Sequence, residues 1–184
     1  MHHVSTADTP ELLQWMYANQ CFTRSGEACK YVLSQGIAPG NVLHYPLSAA
    51  IHVLYSRPFK NAKGIKKIDP AFIPKELMQA HNYLIDGRDK LFAHFDAGKD
   101  IQIEGIASFQ PALVVEQGGV RAQCLELTAS FETLQSIDKL LRFVCIQSGG
   151  RIYQVLKRNR DTLPSEPGTY PLKADGLLGA KKHP

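Results

Sequence analysis

From Leu84 to Asp96 the chain reads Leu-Ile-Asp-Gly-Arg-Asp-Lys-Leu-Phe-Ala-His-Phe-Asp, which crowds one Arg, one Lys, three Asp and one His into thirteen positions. Two of these residue types suit phosphate chemistry that needs no metal. A histidine near its ordinary pKa of roughly 6.5 exchanges protons at neutral pH. An arginine presents a planar fork of donors matched to phosphate oxygens and stays charged throughout. Arg88 and His94 therefore form a catalytic inventory for attack by an RNA 2′-hydroxyl on its own phosphate, giving a 2′,3′-cyclic product. Asp89 would orient either group or hold Arg88 in place. No metal ligand set and no cofactor is implied.

Spacing constrains that reading. In an unbroken α-helix six residues turn through roughly 600°, about 120° short of two turns, over about 9 Å of rise. Arg88 and His94 would then point to different sides, with Arg88 on the apolar stripe of Leu77, His81, Leu84, Leu91 and Phe95. Either the helix is disturbed between Gly87 and His94, or the pair forms across a dimer; the stripe favours a dimer. The purely structural alternative is that Arg88 pairs with Asp86 or Asp89 and that His94 caps a helix C-terminus, where a cation is favoured.

Upstream, residues 57–70 hold Arg57, Lys60, Lys63, Lys66 and Lys67 against Asp69 alone. This is either a solvated loop or a rim that tracks the phosphates of RNA. The other chemical candidates read as structure. His81 suits a core or interface histidine, and His44 and His52 have no acid or Cys partner at metal spacing. Cys21, Cys29, Cys124 and Cys145 form no CxxC pair, and Cys21 and Cys29 read as buried small hydrophobes. Trp15 and the scattered Tyr and Phe residues read as core.

The elements that must position these groups are mostly helical. Thr9-Pro10-Glu11 resembles a helix start, with Thr9 as the capping hydroxyl, and apolar residues from Leu12 to Leu33 recur at helical spacing. Gly36 and residues 38–41 close that helix. A second helix is predicted from Pro46 through Tyr55, and a third from near Pro74 carrying Leu77 and Leu84. Residues 101–127 alternate or run apolar around Gly118-Gly119, predicting a β-hairpin between helices. Another helix follows from Phe131 to about Leu156, with a break expected at Gly149-Gly150. The prolines after Asp161 predict an extended basic tail, 161–184, in which little packs. The expected domain is thus residues 1–160, a mainly α bundle of four or five helices with a small inserted β-hairpin.

Composition bounds the function classes. With 44% hydrophobic and 21% charged residues, the 184-residue chain is ordinary globular rather than disordered. Its 21 basic and 17 acidic residues give +4, but residues 1–150 hold 14 of each, so the excess lies in the last 34. A uniformly basic nucleic-acid coat is thereby disfavoured, while a local basic site is not. No apolar run is long enough to span a bilayer, and the start at Met1-His2-His3-Val4 lacks the pattern of a secretory signal. A cytoplasmic protein with reduced thiols is the expectation.

The segment Arg88-Asp89-Lys90-Leu91-Phe92-Ala93-His94 resembles the signature of the HEPN superfamily: an Arg, usually followed by a polar residue, then a His after a spacer of four to six. Leu54-Tyr55-Ser56-Arg57-Pro58-Phe59 is similar to a segment that accompanies the motif in some members, and the resemblance spans about residues 10–157. It implies a helical bundle that forms a homodimer, bringing two Arg/His motifs together. It further implies metal-independent endoribonuclease activity, often as a toxin paired with a cognate antitoxin or as a defence effector. Other members implied by the same resemblance are non-catalytic modules that bind RNA, a nucleotide or a protein. The β insertion at 101–127 departs from the minimal bundle.

Overall fold

The computed structural model describes residues 8–38, 40–92, 101–103, 106–109, 111–124, 129–169 and 172. Four α-helices carry it: α1 Thr9–Gln35, α2 His44–Ser56, α3 Met78–Gly87 and α4 Phe131–Arg158. The architecture is mainly α, as the periodicity predicts. Four short strands intervene between α3 and α4: β1 Ile101–Ile103, β2 Ile106–Phe109, β3 Pro111–Glu116 and β4 Gly119–Cys124.

The long helices α1 and α4 form an antiparallel seam. Arg158 at the end of α4 donates to Glu11 at the start of α1 (2.7 Å), and Asn19 donates to Ser148 (2.9 Å) near mid-helix. The Cys29 thiol donates to the Leu134 carbonyl at the far end. Between these polar pins Ala18, Phe22, Cys29 and Val32 pack with Ile137, Leu140, Leu141 and Val144, all almost fully buried. Burying each large aliphatic side chain contributes roughly 1.5–3 kcal/mol, so this seam supplies much of the stability. Gly36, at a left-handed φ of 58°, ends α1, and the Ile37 amide donates back to the Val32 carbonyl at 3.1 Å.

Helix α2 lies between α1 and α3. Ser25 of α1 donates to the Ile51 carbonyl (2.9 Å), and Ser56 donates to the Leu84 carbonyl (3.3 Å). Gly87 permits a close approach of α3 to α2: a Cβ there would fall 2.4 Å from Cδ2 of His52.

Four sequence-based expectations are corrected. Helix α4 runs unbroken through Gly149-Gly150, although glycine costs about 1 kcal/mol relative to alanine in a helix interior. Ser148 and Val155, buried on either side, keep the segment on the seam. Thr9 does not cap α1; Asp8 occupies that position, and its carboxylate accepts from Asn159 (2.8 Å) and Arg158 instead. The β region forms two antiparallel pairs, β1 with β2 and β3 with β4, rather than one hairpin. The β3–β4 pair turns at Gln117-Gly118, with Gly118 at a φ of 118° and Gly119 already paired to Glu116. Finally, Leu163, Pro164 and Leu172 of the expected tail are half-buried and line an apolar cavity of about 260 Å³ with Leu12, Met16 and Leu156.

Candidate functional site

The 57–70 segment is not an open loop. A 3₁₀ turn, Arg57–Phe59, continues directly from α2, and the Ile68 amide returns to the Pro58 carbonyl at 2.8 Å. Phe59 and Ile68 are buried and anchor the excursion between them. Phe59 sits among Phe22, Tyr55 and His81, with ring centroids 5.8, 5.3 and 4.8 Å away. Lys60 follows this anchor immediately, so its direction is set by the packing of its neighbour.

That direction leads to the Arg88 motif. Lys60 Nζ donates to Asp89 Oδ2 at 2.5 Å, and Arg88 Nη1 donates to Asp89 Oδ1 at 2.7 Å. One carboxylate thus holds two cations that lie 28 positions apart in sequence. All three side chains are about one-third exposed, so the cluster faces solvent while resting on the buried aromatic layer. Burial is the largest single influence on Asp89 and opposes its ionisation. The hydrogen bonds from Lys60 and Arg88, reinforced by their charges, outweigh it together and hold the carboxyl below its usual range. A local charge of +1 remains, and the donors of both cations are directed to one point.

Behind the cluster lies a buried polar layer. Tyr55 Oη and His81 Nδ1 are 2.7 Å apart, and burial, then the charge of Lys60, depresses the His81 pKa. His52 is also buried; desolvation lowers its pKa to about 4 against the raising effect of its bond to the Ser48 carbonyl. Burial drives the Tyr55 hydroxyl well upward. His81 is therefore a buried histidine, as its position on the apolar stripe predicts, but it belongs to the wall beneath Lys60.

The helix changes character where the motif begins. Helix α3 ends at Gly87, and Arg88–Phe92 form a π-helical turn. Such turns widen the backbone spacing from i→i+4 to i→i+5 and occur frequently at functional sites. The helix is thus disturbed after Gly87, one of the two geometric possibilities that the spacing allows. His94, the expected proton carrier, lies outside the described residues.

The remaining lysines do not share this arrangement. Lys63, Lys66 and Lys67 are exposed, and Gln14 donates to the Lys67 carbonyl, tying that end of the excursion to α1. Arg57 is exposed, and its charge bears on Tyr17 and Cys21 of α1. Lys90 pairs with Asp86 (3.4 Å) on the flank of the motif. Lys60 is thus the one basic-segment residue that the described structure joins to Arg88. A buried aromatic immediately before it, Phe59, is the sequence signal that distinguishes it.

Cys21, Cys29 and Cys145 carry no reactive signature: burial pushes the Cys29 thiol up to about 12, and raises Cys21 and Cys145 as well. Among the described residues no group of three His, Cys, Asp or Glu could hold a metal ion. None of the described helices is long and apolar enough to cross a membrane. Compared with known protein families, curated proteins and solved structures, the chain gives no match.

Proposed function

We propose that this chain is a HEPN-like, metal-independent endoribonuclease of the cytoplasm, acting as a toxin or defence effector. In this reading Arg88 and Lys60 take the scissile phosphate, His94 handles the proton and Asp89 positions the two cations. Arg57, Lys63, Lys66 and Lys67 extend the phosphate track outward, a homodimer completes the cleft, and a cognate antitoxin is the natural inhibitor. The observation that carries the proposal is the convergence of Lys60 and Arg88 on Asp89 at the α-to-π transition. Electrostatic stabilisation of the phosphorane needs cations fixed in advance, and this cluster fixes two.

A second reading, a non-catalytic HEPN-like module that binds RNA, a nucleotide or a protein, draws on the same cluster. Its specific support is that Asp89 already neutralises half of the positive charge, as suits reversible anion binding.

Cleavage of a labelled single-stranded RNA by the full chain separates the two. The ribonuclease reading expects a 2′,3′-cyclic end, loss of cleavage by about 100-fold or more in His94→Ala, and retained RNA binding. Lys60→Ala should weaken both binding and cleavage while leaving the melting temperature nearly unchanged, since partly exposed ion pairs contribute only about 0–1 kcal/mol. Cleavage that survives His94→Ala removes the catalytic assignment. RNA retention without cleavage in the wild type selects the binding module.

A further inference from the structure

The outward face of α4 joins exposed apolar and cationic residues in one line. At about 100° per residue, Lys139, Arg142, Ile146, Gly150, Tyr153 and Lys157 fall along one line of the helix, opposite buried Ile137, Val144 and Val155. Every member of that line is exposed. Its centre is apolar: Ile146 is 71% exposed and Tyr153 is 66% exposed, seven residues apart. Between them a Cβ at Gly150 would meet open space, and one at Gly149 would touch only the Asn19 side chain at 3.9 Å. Among the described residues no contact demands either glycine, and both leave the backbone open to close approach.

The ends of the line are cationic. Lys139 and Arg142 precede the apolar centre and Lys157 follows it, with exposed Arg160 beyond. Arg142 is the one member tied to a carboxylate on its own helix, Asp138 at 2.7 Å. Beside the line, Leu156 and Met16 are partly exposed at the mouth of the 260 Å³ apolar cavity, which offers a socket for one further apolar side chain.

We propose that this face docks an acidic amphipathic helix of a protein partner, lying along α4 with apolar side chains seven residues apart and carboxylates at both ends. Charge decides among the possible occupants. A second copy set antiparallel about Gly149-Gly150 would bring Arg142 of one chain beside Lys157 of the other, like charges that oppose pairing. Single-stranded nucleic acid favours successive aromatic platforms and continuous cations, whereas here an aliphatic residue and two glycines interrupt the charge. An amphipathic helix matches the spacing, the close approach and the flanking sign together. None of these residues belongs to the Lys60, Arg88 and Asp89 cluster, so the inference does not depend on the ribonuclease reading.

The test uses the full chain and a fluorescein-labelled synthetic helical peptide carrying two leucines seven apart, with glutamates beyond each. Anisotropy should report saturable binding, weakened about tenfold or more by Ile146→Asp and by Tyr153→Asp. Replacing the peptide glutamates by lysines should abolish binding to the wild type and restore it to a Lys139→Glu/Lys157→Glu chain. Both target side chains are mostly exposed, so unchanged melting temperatures are expected and exclude misfolding. No binding, or equal binding by all variants, overturns the proposal. A labelled oligouridylate that loses affinity in Ile146→Asp would overturn it in favour of nucleic acid. A sedimentation coefficient of the protein alone that falls in Ile146→Asp would overturn it in favour of self-association.

Discussion

The α1/α4 seam and the α2/α3 layer are both buried, yet they are made of different material. The seam is mostly aliphatic, with Phe22 among its members and hydrogen bonds set at intervals along it. The α2/α3 layer buries His52, Tyr55, His81 and Tyr83 around the approach of Gly87 to His52. Aliphatic packing serves stability, and the polar groups of α4 buried beside it are Ser148, which is hydrogen-bonded, and Asp138, which pairs with Arg142. The buried histidines of the α2/α3 layer must stay neutral and so oppose folding wherever the unfolded chain would protonate them, and such perturbed groups concentrate at functional sites. The surface over that layer is where Lys60, Arg88 and Asp89 meet. The two regions share one core, joined where Phe22 meets Tyr55 and Phe59, but the candidate site lies over the polar one.

Three measurements can break this division. The largest expected effect is in the seam: Leu141→Ala should cost about 2–5 kcal/mol in denaturant unfolding, because α1 and α4 cannot collapse onto the void. On the ribonuclease reading, RNA affinity measured well below the new midpoint should stay at the wild-type level. A parallel loss of affinity would mean that the seam also shapes the site.

The second effect is pH dependence arising from the polar layer. The folded-state pKa of His52 is about 4, against 6.5 for the free group. Between those values the unfolded chain binds a proton that the folded chain refuses, so stability falls as pH drops from 6.5 toward 4. At roughly 1.4 kcal/mol per pKa unit the loss approaches about 3 kcal/mol. His81, depressed by burial and by Lys60, acts in the same direction. Asp89 acts below this window: its contribution is present above the unfolded carboxylate pKa and is lost as pH falls through its lowered folded value. Unfolding midpoints measured from pH 7 to 4 should flatten in His52→Gln. An unaltered pH profile would remove His52 as the source.

The smallest effect tests the close approach. Gly87→Ala gains about 1 kcal/mol of helix propensity, but the new methyl meets the His52 ring at a cost of about 1–3 kcal/mol, leaving a net cost of up to about 2 kcal/mol. Combining it with His52→Ala should recover part of that loss, and a double-mutant cycle measures the coupling. Strict additivity would show that the backbone shifts instead.

Much of the fold is legible in the residues. Apolar recurrence at helical spacing marks all four helices, Gly36 marks the end of α1, and alternation around Gly118 marks a β element. The failures share a cause. Gly149-Gly150 reads as a break because propensity is local, while the burial of Ser148 and Val155 against α1 is not. Thr9 reads as a cap because hydroxyls usually serve there, but Arg158 and Asn159 draw Asp8 into that corner instead. Leu163 and Leu172 read as tail until a cavity wall between α1 and α4 exists for them to complete.

The candidate site divides along the same line. Residue type and spacing alone single out Arg88, Asp89 and His94, because their chemistry is intrinsic and their separation is short. They also establish that an unbroken helix cannot aim Arg88 and His94 together, a consequence of 3.6 residues per turn. Five basic residues between 57 and 67 remain equivalent at that level. Only the tertiary structure separates Lys60 from the rest, because the burial of Phe59 among Phe22, Tyr55 and His81 turns the next residue toward Asp89. Charge is a property of the chain, but which charge meets which is decided by the packing of the uncharged neighbour.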